Sequence, residues 1–148
     1  GAVLHSFQQA REDLEKWTGD LSKEQLWMKP AGLTPVGGQI HHIAGSIDRL
    51  STYLEGRQLS DAQLQELKGE MEPGASLSEL SAHLESVLRR VEQLCRGLDP
   101  ASFPEARAVG RKQLPTTVMG LLIHMAEHTQ RHVGQAIVTA KLVRGGTA

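Results

Sequence analysis

Seven histidines occur in 148 residues, and three of them are spaced as a metal-binding set. One run reads His124-Met-Ala-Glu-His128-Thr-Gln-Arg-His132-Val-Gly-Gln135. Residues four apart on a helix sit one above the other, so an i, i+4 pair of imidazoles can offer one ion two nitrogens from a single rigid element. Projected at about 100° per residue from His128, Leu121 and Thr139 fall near +20°, His132 near +40°, Met125 near +60°, Gln135 near −20° and His124 near −40°. His128 and His132 are therefore expected on the core-directed stripe and His124 at its edge. Glu127, at about −100°, points to solvent.

A third candidate comes from an earlier segment, where His41 and His42 stand side by side. The apolar arc of Ile40, Ile43, Ile47, Leu50 and Leu54 leaves His42 on the flank of the core face and turns His41 outward. Ser46 and Tyr53 project on the same side as His42 and are candidates for a substrate pocket. Gln135, one turn beyond His132, is the candidate to fix a nucleophile or substrate, or else to hydrogen-bond a neighbouring helix. Three neutral imidazoles suit zinc, nickel, iron or cobalt, with manganese a further option; calcium and magnesium prefer oxygen. Three protein ligands leave a coordination position open, as catalytic sites do. His5 and His83 read as solvated or interface histidines, and Cys95, the one cysteine, as a small structural residue.

The elements that must carry these residues are helical. Val3, Phe7, Ala10, Leu14 and Trp17 alternate steps of four and three and predict a helix over 2–18. Ser22 with Gln25 predicts a capping box and a short turn with Leu26 and Trp27, before Pro30, Gly32 and Pro35 interrupt the chain. A helix over 36–55 ends at Gly56, and Ser60 with Gln63 caps a brief one carrying Leu64 and Leu67. Ser76 and Glu79 read as a capping box opening a long helix. It carries Leu77, Leu80, Leu84, Val87, Val91, Leu94 and Leu98, and Gly97 and Pro100 close it. Residues 99–115 hold three prolines and a glycine without period and read as a long loop, of a kind that often covers a site. Thr116 or Thr117 then caps a helix to about Val143, ahead of Gly145-Gly146. No segment shows strand alternation. The expectation is all-α: one domain over 1–148, a four-helix bundle with long second and third connections.

Sixteen basic and seventeen acidic residues give a formal charge of −1. Without a basic stripe, neither nucleic acid nor an anionic membrane is favoured as partner. No apolar stretch approaches the ~18 residues of a membrane span, no secretory layout opens the chain, and a single cysteine fits a cytoplasmic protein.

With His42-Ile-Ala-Gly-Ser46 on one helix and His128-x-x-x-His132-x-Gly134-Gln135 on another, the sequence resembles the DinB/YfiT-like family of metal-dependent enzymes. There a histidine before an aliphatic-Ala pair supplies one ligand, and a His-x-x-x-His-Arg-x-Gln motif supplies two more. Val133 stands where many members have arginine. The resemblance implies a four-helix bundle, a divalent metal such as nickel or zinc, frequent homodimers, and either hydrolysis or transfer and isomerisation with a low-molecular-weight thiol on a small-molecule substrate. The rival readings are a non-catalytic dimeric metal-binding or stress-response bundle, and a metal-free bundle whose histidines are simply hydrogen-bonded.

Overall fold

The computed structural model describes residues 1–145. Helix α1 (Ala2–Thr18) and the short α2 (Lys23–Trp27) precede α3 (Val36–Leu54), α4 (Asp61–Gly69) and α5 (Leu77–Arg96). Strands β1 (Ala106–Val109) and β2 (Leu114–Thr117) follow, then α6 (Val118–Gly145). Helices α1, α3, α5 and α6 make the four-helix bundle. Helix α6 lies between α1 and α3, and α3 in turn packs on α5. The α1–α5 side is looser and is bridged by Arg11, whose guanidinium reaches Glu85 at 2.7 Å and Glu92 at 2.5 Å.

The core is built from the expected apolar stripes, Phe7, Ala10 and Leu14 of α1, Ile40, Ile43 and Ile47 of α3, Leu84, Val87 and Val91 of α5, and Leu121 and Met125 of α6, joined by Leu88 and Ala136. On α1 the last buried position belongs to Thr18, whose hydroxyl donates to the Leu14 carbonyl at 2.6 Å, while Trp17 is only half-buried. Being buried against α6 on one side and α5 on the other, α3 has small or polar residues inside as well as apolar ones.

The helix ends follow local chemistry. Ser22–Gln25 and Ser60–Gln63 form reciprocal capping boxes. At α5 the cap is one-sided: Ser76 Oγ accepts from the Glu79 amide at 3.1 Å and donates to the Glu79 carboxylate, which therefore does not reach back to the backbone. Gly56, at φ +79°, adopts the left-handed conformation that ends α3, with its amide and that of Arg57 satisfying the Tyr53 and Thr52 carbonyls. The α6 amide of Gly120 is capped by Thr117 Oγ1 at 3.0 Å. Gly146 lies outside the described residues.

The expected loop over 99–115 is in part a β-hairpin. β1 and β2 pair antiparallel, Ala106 opposite Thr117 and Val109 opposite Leu114, around a turn with Gly110 at φ +78° and Gln113 at φ +50°. Four-residue strands reading Ala-Arg-Ala-Val and Leu-Pro-Thr-Thr are too short and too exposed to show alternation. Arg107 ties the hairpin to the bundle by donating to the orphan Leu54 carbonyl at the end of α3, 2.7 Å away. No helix among the described residues is long and apolar enough to cross a membrane.

Candidate metal centre

The α3–α6 seam brings His42, His128 and His132 together. One ring nitrogen from each lies within 4.8 Å of the others. The ring centroids are 4.4 Å apart for His42–His132 and His128–His132, and 5.3 Å for His42–His128. All three rings are half-buried. The α6 pair sits at the margin of the buried arc rather than at its centre, because the deepest α6 positions (Met125, Thr129, Val133, Ala136) lie further round the helix. Val133, in the position where arginine was expected of relatives, is a core residue.

Every ring is held through Nδ1. His42 Nδ1 is 2.8 Å from Glu70 Oε2, His128 Nδ1 is 3.1 Å from Ser46 Oγ, and His132 Nδ1 is 2.7 Å from Gln39 Oε1. The Glu70 and Gln39 oxygens can only accept, which places the proton of His42 and of His132 on Nδ1, while the Ser46 hydroxyl can accept from His128 or donate to it.

These anchors are themselves anchored. Glu70, the buried residue capping α4, also receives Arg49 Nη1 on its other oxygen at 2.5 Å. Gly45 lies directly beneath this pair, and a Cβ there would overlap the Glu70 carboxylate and press on the Arg49 guanidinium. Gln39 uses its amide nitrogen to donate to Gln135 Oε1 at 2.9 Å.

The electrostatics keep the two α6 rings in the ligating form. Burial, followed by the neighbouring His132 and His42 rings, pushes His128 down to about 4. Burial, His42 and Arg131 lower His132 as well. For Glu70, burial favours the neutral acid, but the hydrogen bonds from His42 and Arg49 outweigh it and hold the carboxyl below its ordinary range. Near neutral pH His128 and His132 are thus neutral imidazoles, and the carboxylate behind His42 is ionised. Three nitrogen donors with fixed outer partners are a set that a late first-row divalent ion fits.

Of the other expected site residues, Gln135 is exposed, with its carbonyl engaged by Gln39. Ser46 is buried against His128. Tyr53 is buried on the wall of a cavity of about 270 Å³ that Ser46, Arg49 and the hairpin tip at Val109–Arg111 also line. A second cavity, about 650 Å³, opens on the His132 side along Gln39, Arg131 and Gln135. The larger groove between α1 and α5, about 700 Å³, contains none of the histidines and has no chemistry to offer. His124 and Glu127 pair with each other at 3.0 Å outside the cluster, and Glu127 also holds Arg131.

Sequence reasoning did not find Glu70, Arg49, Gly45 or Gln39. A buried-face glutamine three residues before His42 was a usable signal for Gln39. Glu70 carried none, because its role depends on how the short α4 docks.

A four-helix bundle with a three-histidine centre on one seam defines the class. The sequence profile of the DinB superfamily matches residues 6–136, and the chain belongs to that family. No curated protein matches it significantly in sequence. Among solved structures, a conserved protein from Enterococcus faecalis is 17% identical, with a TM-score of 0.80 over 97% of this chain and 95% of that one. YfiT from Bacillus subtilis, described as a probable metal-dependent hydrolase with an unusual four-helix bundle topology, is 20% identical with a TM-score of 0.72, over 97% of this chain and 86% of that one. At such identities the likeness is one of fold.

Proposed function

We propose that this chain is a divalent-metal-dependent enzyme acting on a small molecule, of the hydrolase or thiol S-transferase type, with His42, His128 and His132 as the ligands. The observation that carries the reading is the pinning of all three rings at Nδ1 by Glu70, Ser46 and Gln39. Hydrogen-bonded histidines in a metal-free bundle have no need to bring one ring nitrogen each within 4.8 Å of the other two. Among the described residues no fourth histidine, cysteine or carboxylate completes the cluster, which supports an open, catalytic coordination over a closed structural one.

A bound divalent ion, nickel or zinc by preference, supplies Lewis acidity that lowers the pKa of a nucleophile and polarises an electrophile. The protein's own groups do the rest. Glu70 strengthens His42 as a donor and keeps its ring in register. Gln135, whose side chain accepts from Gln39 and also hydrogen-bonds His132, lines the cavity of about 650 Å³ and contacts the substrate there. Ser46 orients His128, and the Tyr53 hydroxyl and apolar walls of the smaller cavity contact the substrate. The nucleophile comes from outside: Cys95, pushed up to about 11 by burial and by Glu92, is no thiolate at neutral pH. Resemblance to the family favours a low-molecular-weight thiol over water.

We further assign the protein as a single-domain cytoplasmic homodimer. Light scattering on the purified chain tests the assembly. The reaction type is tested by turnover of a small electrophile by metal-loaded protein with and without a small thiol. Thiol-dependent turnover that disappears in His42→Ala supports transfer, and thiol-independent turnover supports hydrolysis. Equal rates for metal-free and metal-loaded protein refute both.

A further inference from the structure

A second cluster lies on the other side of α3. His41, next in sequence to His42, faces α4 and α5, where its Nε2 is 3.2 Å from Glu66 Oε2 and its ring meets His83 edge-on with centroids 6.0 Å apart. One ligand atom from each of these three residues lies within 4.8 Å of the others. With bonds of about 2.0–2.1 Å at tetrahedral angles, neighbouring ligand atoms are about 3.3 Å apart, so the His41–Glu66 spacing is already that of a coordination edge. His83 and Glu66 are exposed and free to close the remaining gap by rotation.

We propose that His41, Glu66 and His83 form a second divalent-cation site, separate from the three-histidine centre and of the two-imidazole, one-carboxylate kind that suits zinc, cobalt or ferrous iron. Its three ligands come from α3, α4 and α5. Helix α4 buries none of its own side chains, and polar contacts fasten it: Glu66 to His41, Gln63 to Asp48 and Thr52, and, at its cap, Glu70 to His42 and Arg49. A cation at Glu66 clamps this helix onto α3 and α5. Because Glu66 and Glu70 are one turn apart, the clamp also steadies the carboxylate that holds His42.

The test is zinc titration of the tag-free, metal-free full chain by calorimetry, together with amide exchange of α4. Two zinc equivalents are expected, the second weaker because two of its ligands are solvent-exposed. His83→Ala and Glu66→Gln should each weaken the second equivalent at least tenfold and leave the first within about twofold. His42→Ala should remove the first and keep the second. Exchange of α4 amides should slow on the second equivalent in the parent protein and not in His83→Ala. A parent chain that binds one zinc, or a His83→Ala chain that still binds two with unchanged affinity, overturns the site. Unchanged α4 exchange at full occupancy overturns the clamp.

Discussion

Gly45→Ala isolates the support behind His42. In a helix interior alanine is ordinarily better than glycine by about 0.5–1 kcal/mol. Here the added methyl meets the Glu70 carboxylate and the Arg49 guanidinium, both buried and joined at 2.5 Å. One or both side-chain ends must shift, and a shift that separates the buried ion pair costs up to about 3–5 kcal/mol. The net loss is then up to about 2–4 kcal/mol, which in a chain of this size lowers the melting temperature by roughly 5–15 °C. Loss of the Glu70–His42 hydrogen bond should also weaken zinc binding at the three-histidine centre about 10–100-fold. Gly134→Ala is the control, since a Cβ there meets nothing within 4 Å and the change should be neutral or stabilising. Thermal melts of both metal-free variants, followed by zinc titration, make the comparison. If Gly45→Ala melts at or above the parent temperature and binds zinc as tightly, the Glu70–Arg49–His42 chain does not support the site as described.

Three further outcomes follow from the geometry. His128 is neutral in the fold at about 4 against an ordinary 6.5, so its contribution is complete above pH 6.5 and is lost as pH falls toward 4, where the unfolded chain binds the extra proton. Urea melts of metal-free protein should show that slope, and His128→Gln should reduce it, with the lowered His132 supplying the remainder. Glu70, held low, adds a second loss only below its ordinary 4.5. Gln39→Ala should leave the fold intact but free the His132 ring, lowering zinc affinity about tenfold; an unchanged isotherm would show that the ring needs no anchor. Cys95 should alkylate with iodoacetamide at pH 7.4 far more slowly than free cysteine, and a comparable rate would contradict its burial.

The sequence was most readable where an interaction is local. Capping residues and apolar spacing located α1, α3 and α5 to within a residue or two and the starts of α2 and α4, although α4 ends at Gly69 rather than near Pro73-Gly74, and imidazoles one turn apart marked His128 and His132. Pairing His42 with them needed the face of a second helix, which periodicity also supplied. The hairpin escaped because four-residue strands with one face in solvent carry little pattern. Glu70 and Arg49 escaped because their partnership is fixed by the docking of α4 across a connection with no periodic signal. His83 read as an ordinary solvated histidine, and only the packing of α5 beside α3 brings it near His41.

Ser46 and Gln39 are both α3 residues gripping rings that belong to α6. The orientation of the two α6 rings is therefore a by-product of closing that seam, set before any ion arrives. On the proposed reading, such a protein should surrender a bound metal to a chelator while keeping its shape, and take up a fresh ion within the time of a diffusive encounter. Which element the proposed site took up would then follow the supply of exchangeable cations around it, rather than a choice made while the chain folds.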